Sequence, residues 1–287
     1  MQVSYNKLKI FNECRLKYRF SYIERLPRPP IAALAFHRQV HSALATYHHF
    51  AKRDGVVHEE RLLQAYDEIL EVQRFPEAKE SKKYAEGQDI LRRYCKIENE
   101  RRRIPVYLEH PFKVSFGPYV LTGKVDRIDF AENDRYSLID YKLDRKLPHG
   151  NAAETDRQLS FYALLVSEGL GMEIQDVRLN YLRHGVEHIG TRSRGETRET
   201  IEWIDKTASS IHKEKLWAPC AGPACSTCAF HSSCPAKTGD ERANRGVWQQ
   251  GDLLWEMQET SDSVTEKTDL SSNLTKASKQ LTLDDYL

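Results

Sequence analysis

Hydrophobic and polar positions recur with two different periods along the chain, and the switches between them mark out its elements. Residues 4–23, SYNKLKIFNECRLKYRFSYI, carry Leu8, Phe11 and Leu16 at helical spacing behind Ser4, a residue type that caps helix N-termini. The run ERLPRPP at 24–30 breaks that helix. A second helical pattern runs from about Ala32 to Lys52 and carries His37, His41, His48 and His49; residues 58–103 continue as helix and end in three arginines. From residue 106 the period becomes that of strands. VYLEHPFKVSF, YVLTGKVDRIDF and YSLIDYKLD alternate, with turn signals at Gly117–Pro118 and at AENDR, 131–135. Helix returns over 155–171 and closes on Gly171, a strand follows over 177–185, and another helix covers ETIEWIDKTASSIHKE. This order predicts a mixed α/β domain.

Composition narrows the class of protein without naming its task. The 287 residues are enough for one large domain or two small ones, and 30% of them are charged. No run of about 18 apolar residues exists, so no membrane span is expected, and MQVSYNKLKIF lacks the apolar stretch of an export signal. The expected location is therefore cytoplasmic, where six cysteines read as thiols or metal ligands rather than disulfides. A net charge of +1 leaves partners open, and no GxxxxGK[ST] phosphate loop suggests an ATPase. After about Leu254 the chain becomes Ser/Thr/Lys-rich and is expected to be disordered, with apolar character returning in QLTLDDYL.

The chemistry concentrates in GKVDRIDF and SLIDYKLD. Alternate residues of a strand share a face, so Asp140 and Lys142 point the same way. Asp126 comes within reach of Asp140 if the two strands form a hairpin over AENDR. Two carboxylates beside a lysine suit phosphodiester hydrolysis: the oxygens hold a hard divalent cation, the cation activates water and neutralises phosphate charge, and the lysine orients that water or stabilises the transition state. Taken singly, such charges are common at exposed strand ends. Their order and company distinguish them here.

That order is His41, then GKVD (123–126), DYK (140–142) and QLSFY (158–162). It resembles the PD-(D/E)XK nuclease superfamily, and within it the RecB-like branch that includes the CRISPR-associated RecB-like exonucleases and the AddB nuclease domain. The resemblance implies a restriction-endonuclease-like core over residues 1–245, a central mixed sheet flanked by helices, with a helical insert at about 57–103. It implies that Asp126 and Asp140 hold Mg²⁺ or Mn²⁺ together with His41 and the backbone carbonyl of Tyr141, and that Lys142 is catalytic. Gln158 and Tyr162, one helical turn apart, would meet DNA, with Arg145, Lys146 and Arg157 as nearby phosphate contacts. Glu109 stands where related nucleases often carry a glutamate near the site. His37, one turn before His41, departs from the family pattern and leaves an HxxxH zinc pair as another reading.

Two further segments extend this picture. CAGPACSTCAFHSSC, 220–234, holds four cysteines at spacings compatible with a local zinc, with His231 as a substitute ligand. In iron–sulfur members of the RecB-like branch, an N-terminal cysteine joins a C-x₂-C-x₅-C run. That pattern implies a 4Fe–4S cluster on Cys14, Cys225, Cys228 and Cys234, leaving Cys220 and Cys95 outside it. The tail supplies Gln280, Leu283, Tyr286 and Leu287, which resemble a PCNA-interacting peptide at the end of a 255–287 tether. The resulting expectation is a metal-dependent DNA nuclease, an exonuclease on single strands or ends, recruited to replication or repair by a sliding clamp. The alternatives are a CRISPR-adaptation nuclease, a non-catalytic DNA-binding or clamp adaptor on the same fold, and a zinc-knuckle nucleic-acid protein.

Overall fold

Six strands pair into one mixed sheet in a computed structural model that describes residues 1–27, 32–72 and 82–238. The chain divides into two compact units, residues 1–231 and 232–287. The second is described over 232–238, where Cys234 precedes a short helix, Pro235–Thr238.

In the first unit, strand β1 (Gln2–Ser4) leads into helix α1 (Tyr5–Glu13), and the Ser4 hydroxyl accepts from the Lys7 amide at 3.3 Å, the cap expected from sequence. The helix predicted over 4–23 is nevertheless not continuous. Cys14 has an extended backbone (φ −163°), ends α1 and caps α2 (Arg15–Tyr18), its thiol accepting from the Lys17 amide at 3.4 Å. A single π-helical turn, Arg19–Ile23, follows. The insert comprises α3 (Ala32–Asp54), α4 (Glu59–Val72) and α5 (Lys82–Arg101).

Strands β2 (Pro105–Phe116), β3 (Tyr119–Phe130) and β4 (Arg135–Lys142) form the antiparallel meander that the alternation predicts. Helices α6 (Ala152–Thr155) and α7 (Arg157–Leu170) replace the single helix expected at 155–171, divided at Asp156, whose carboxylate caps α7 through the Leu159 amide at 2.8 Å. Gly171 closes α7 in the left-handed region, φ +66°. The strand expected at 177–185 is β5 (Glu173–Tyr181), which begins earlier and ends at a tight turn into β6 (Val186–Gly190), a strand absent from the sequence reading. Helix α8 (Arg194–Lys213) starts on a Ser193/Glu196 capping box, five residues before the predicted segment.

The sheet runs β1-β3-β4-β5-β6, with β2 on the other edge of β3. Two apolar clusters cover it. One joins Leu8 and Phe11 of α1, Leu159, Phe161 and Leu165 of α7, and Ile204 and Ala208 of α8 to Leu121, Leu138 and Leu179 of the sheet. The other joins Val40, Leu44, Leu62, Leu91 and Tyr94 of the insert to Ile139, Tyr141 and Leu182. Each fully buried leucine contributes about 1.5–3 kcal/mol, so the two clusters clamp the sheet between helical layers. This is the α/β core expected from the resemblance.

Candidate active site

The site forms where the sheet forks. Strand β3 pairs in parallel with β1 at 120–122, and antiparallel with β4 at 127–130, along the same edge. Between these stretches, residues 123–126 have no ladder partner on that edge among the described residues. Asp126 occupies the fork, and its carboxylate replaces the ladder: Oδ2 accepts from the Tyr141 amide at 2.9 Å. Gly123, the first residue of the GKVD motif, permits this. A Cβ there would lie 2.8 Å from Leu165 Cδ2 and 3.0 Å from Tyr162 Cε1, so any side chain would force these two α7 side chains to shift.

His41 reaches the same fork from α3. Its Nδ1 lies 3.4 Å from Asp126 Oδ1 and 3.7 Å from Glu109 Oε1. Glu109 lies on β2 between the pairs Leu108↔Arg127 and His110↔Val125, hence opposite Asp126, with φ +49°. A glutamate in the left-handed region costs of the order of 1–3 kcal/mol, and no sequence pattern announces it. The other Glu109 oxygen pairs with Lys124. Among the described residues, His41, Glu109 and Asp126 form a three-donor group whose ligand atoms all lie within 4.8 Å of one another.

Asp140, Lys142 and Gln158 close a triangle beside this group. Lys142 Nζ donates to Asp140 Oδ2 at 2.7 Å and to Gln158 Oε1 at 3.0 Å, while Gln158 Nε2 donates to Asp140 Oδ1 at 2.8 Å. The Asp156 cap places Gln158 in the first turn of α7, facing the strand end. Tyr141, between Asp140 and Lys142, turns the opposite way. Its hydroxyl lies 2.8 Å from Tyr94 in a buried network with His48, Arg127, Glu98 and Asp129. The alternation read from DYK is therefore present in three dimensions.

The charges interact strongly. Burial alone would lower the His41 pKa, but the Asp126 and Glu109 carboxylates raise it to about 10. Burial pushes Asp140 up to about 7 against the pull of Lys142, with Asp126 adding to the rise. Burial opposes the Lys142 charge, yet Asp140 holds its pKa above the ordinary lysine value. Burial also lifts the Tyr162 hydroxyl to about 12, so it stays protonated. The fork thus concentrates carboxylates that demand positive charge. His41 Nε2 and Glu109 Oε1 are moreover buried without a hydrogen-bond partner among the described residues, as donors for a cation would be. One imidazole and hard carboxylate oxygens fit Mg²⁺ or Mn²⁺.

Other expected residues lie apart. Arg145 and Lys146 are exposed in the segment after β4. Arg157, also exposed, lies over the Trp203 ring at 5.5 Å. The His37 ring lies tilted beside that of His41, centroids 5.8 Å apart, and His37 is not in the three-donor group. The Cys14 thiol accepts from the Cys220 amide at 3.4 Å, and Tyr18 stacks on Trp217 at 5.8 Å, so the N-terminal helices adjoin the start of the cysteine segment. Cys225 and Cys228 are half-buried. Cys234 lies in the second unit, and Gln280, Leu283, Tyr286 and Leu287 lie outside the described residues. No described helix is long and apolar enough to cross a membrane. Lys124 and the buried Arg127 network escaped the sequence reading, since neither has a motif of its own.

A family model of the PD-(D/E)XK nuclease superfamily matches residues 2–235. Among solved structures, the chain is similar to the "Putative exonuclease" of Eubacterium rectale, with 11% identity and a TM-score of 0.49 over 73% of this chain and 79% of that one. It is also similar to SSO0001, with 17% identity and a TM-score of 0.34 over 81% of this chain and 95% of that one. No curated protein matches the chain.

Proposed function

The chain belongs to the PD-(D/E)XK nuclease superfamily, and from that premise we propose that it is a Mg²⁺- or Mn²⁺-dependent deoxyribonuclease acting on single strands or DNA ends. The observation that carries the reading is the meeting of His41, Glu109 and Asp126 in one fork, beside the Asp140–Lys142–Gln158 triangle. His41, Asp126, Asp140 and the Tyr141 carbonyl would hold the cation, with Glu109 as a further oxygen donor. When bound, the cation supplies an activated water and neutralises charge on the scissile phosphate.

The protein's own groups do the rest. Asp140 and Gln158 fix Lys142 Nζ from two sides, so its charge is aimed before substrate arrives and little reorganisation is needed. The raised Lys142 pKa keeps that amine protonated at neutral pH, which suits it to orient water or stabilise phosphate charge rather than to act as a base. Tyr162 packs α7 against Gly123 and so sets the distance between Gln158 and the strand end.

The 4Fe–4S cluster on Cys14, Cys225, Cys228 and Cys234 is part of this proposal, as is recruitment by a PCNA-type clamp through 280–287. The first draws support from the contact of Cys14 with the backbone of Cys220, which brings the two distant cysteine segments together. The second rests on the sequence motif. The deciding experiment is digestion of end-labelled single- and double-stranded DNA with Mn²⁺ or Mg²⁺, with Asp140→Ala and Lys142→Ala as controls. Loss of cleavage in both variants supports the assignment. Equal cleavage in wild type and variants would refute the catalytic assignment, and DNA binding without cleavage by the wild type would leave the adaptor reading in its place.

A further inference from the structure

On the far side of α7's first turn, between α6–α7 and α8, lies an open groove of about 280 Å³ lined by Glu154, Arg157, Ser160, Glu199 and Trp203 among others. We propose that this groove is a subsite for an unpaired nucleobase bearing an exocyclic amine, stacked on Trp203 beneath Arg157. The inference rests on the action on nucleic-acid strands proposed above.

Position is the first argument. Arg157 directly precedes Gln158, the residue that holds both Asp140 and Lys142. Tyr5 lies between the two places: its ring is 6.2 Å from Trp203 and 6.4 Å from Phe161 of α7, and its hydroxyl pKa is raised by burial, then by Asp156 and Asp140 against Lys142. A strand whose phosphate meets Lys142 would bring a neighbouring nucleotide to the groove by passing over the first turn of α7.

The chemistry of the walls decides what enters. Trp203 is half-buried and presents an aromatic surface, and Arg157, exposed, lies over it at 5.5 Å and can swing aside by side-chain rotation alone. Together they make a π-surface and a cationic cover for a flat ring. The rim, however, carries the exposed carboxylates Glu154 and Glu199. These repel a phosphodiester, and they accept hydrogen bonds from the amino groups of cytosine, adenine or guanine. Thymine offers no amine.

The groove is also preformed. Arg192 donates to Ser160 Oγ at 2.7 Å and to the Ala153 and Asp156 carbonyls at 2.7 and 3.0 Å, tying α6, α7 and the approach to α8 together. The Glu196 carboxylate is engaged by Ser193 in the α8 cap, which fixes that wall. A rigid cleft costs little ordering on binding.

The test measures binding without cleavage. Fluorescence anisotropy of labelled oligo(dC) and oligo(dT), in EDTA, is compared for wild type, Trp203→Ala, Trp203→Phe and Glu199→Ala. Oligo(dC) should bind more tightly than oligo(dT), Trp203→Ala should lose about ten-fold on oligo(dC), Trp203→Phe should retain most of the affinity, and Glu199→Ala should narrow the gap between the two oligonucleotides. Unchanged oligo(dC) binding by Trp203→Ala, or a wild type with equal affinity for both, overturns the subsite. Glu199→Ala and Trp203→Phe keep the test decisive if Trp203→Ala unfolds. A protein that shows these differences but cuts no DNA with Mn²⁺ refutes the nuclease reading and leaves the subsite standing; one that cuts DNA while ignoring Trp203→Ala does the reverse.

Discussion

Replacing Arg127 by methionine tests the buried network behind the fork. The guanidinium is wholly buried and meets both Asp129 oxygens at 2.5 Å, Glu98 Oε2 and the Tyr94 hydroxyl at 2.9 Å, and His48 Nε2 at 2.8 Å. Methionine fills similar space but takes away the cation that Asp129 and Glu98 share, leaving Glu98 with its 3.1 Å pair to Arg101. Removing one partner of such a cluster costs about 3–5 kcal/mol. For a unit of 231 residues this corresponds to a fall in Tm of roughly 6–20 °C.

The deficit should depend on pH with a definite sign. In the intact protein, burial raises Asp129 even though Arg127 pulls it down, while Arg127 and Arg103 hold Glu98 low against burial. In Arg127→Met the Asp129 carboxylate rises further and Glu98 loses its strongest cationic pull while keeping Arg101 and Arg103, so the folded variant binds more protons than the folded wild type. Its stability relative to wild type then improves as pH falls from 7 towards the ordinary carboxylate range. Urea denaturation at several pH values reads this directly. Adding Glu98→Gln and Asp129→Asn to Arg127→Met should recover much of the loss, because the uncompensated charge is gone. A deficit below about 1 kcal/mol, or one that does not shrink on acidification, would refute the account of Arg127 as the buried counter-charge.

Other outcomes follow from the same structure. Gly123→Ala should destabilise by about 1–3 kcal/mol through overpacking and lower nuclease activity, because Leu165 and Tyr162 must shift; thermal melts and cleavage rates check it. His48 is buried and held neutral, its pKa well below 6.5 through burial and then Arg127. Its share of stability is therefore full above pH 6.5 and lost as pH falls below it, and His48→Gln should flatten that part of the urea-midpoint profile. Cys14→Ser should remove iron and the absorption near about 400 nm from anaerobically purified protein, while Cys220→Ser should keep both. One zinc in a colourless wild type would overturn the cluster.

Much of the fold was legible because its elements carry clean periods. The β2–β4 meander follows from alternation and two strong turn signals, and the Ser4 and Gly171 helix ends follow from capping chemistry. The misses share a cause. Cys14 interrupts a pattern that stays helical in hydrophobicity on both sides, because a thiol that caps α2 leaves no mark on periodicity. β6 is an edge strand with Val186 and Ile189 exposed, so its burial pattern is weak.

The sequence by itself determined the D-x-K alternation, the spacing of Gln158 and Tyr162, and the order of His41, Asp126, Asp140 and Lys142, since these depend on local geometry and chain order. The tertiary structure alone decided which groups meet. It opened β3 between β1 and β4 so that Asp126 bonds the Tyr141 amide, brought His41 beside Asp126, and turned Glu109 into the left-handed region to face His41. It also buried Arg127 as the counter-charge for Glu98 and Asp129. Such pairings depend on distances between strands and helices far apart in the chain, and these are set by how the two apolar clusters pack against the sheet.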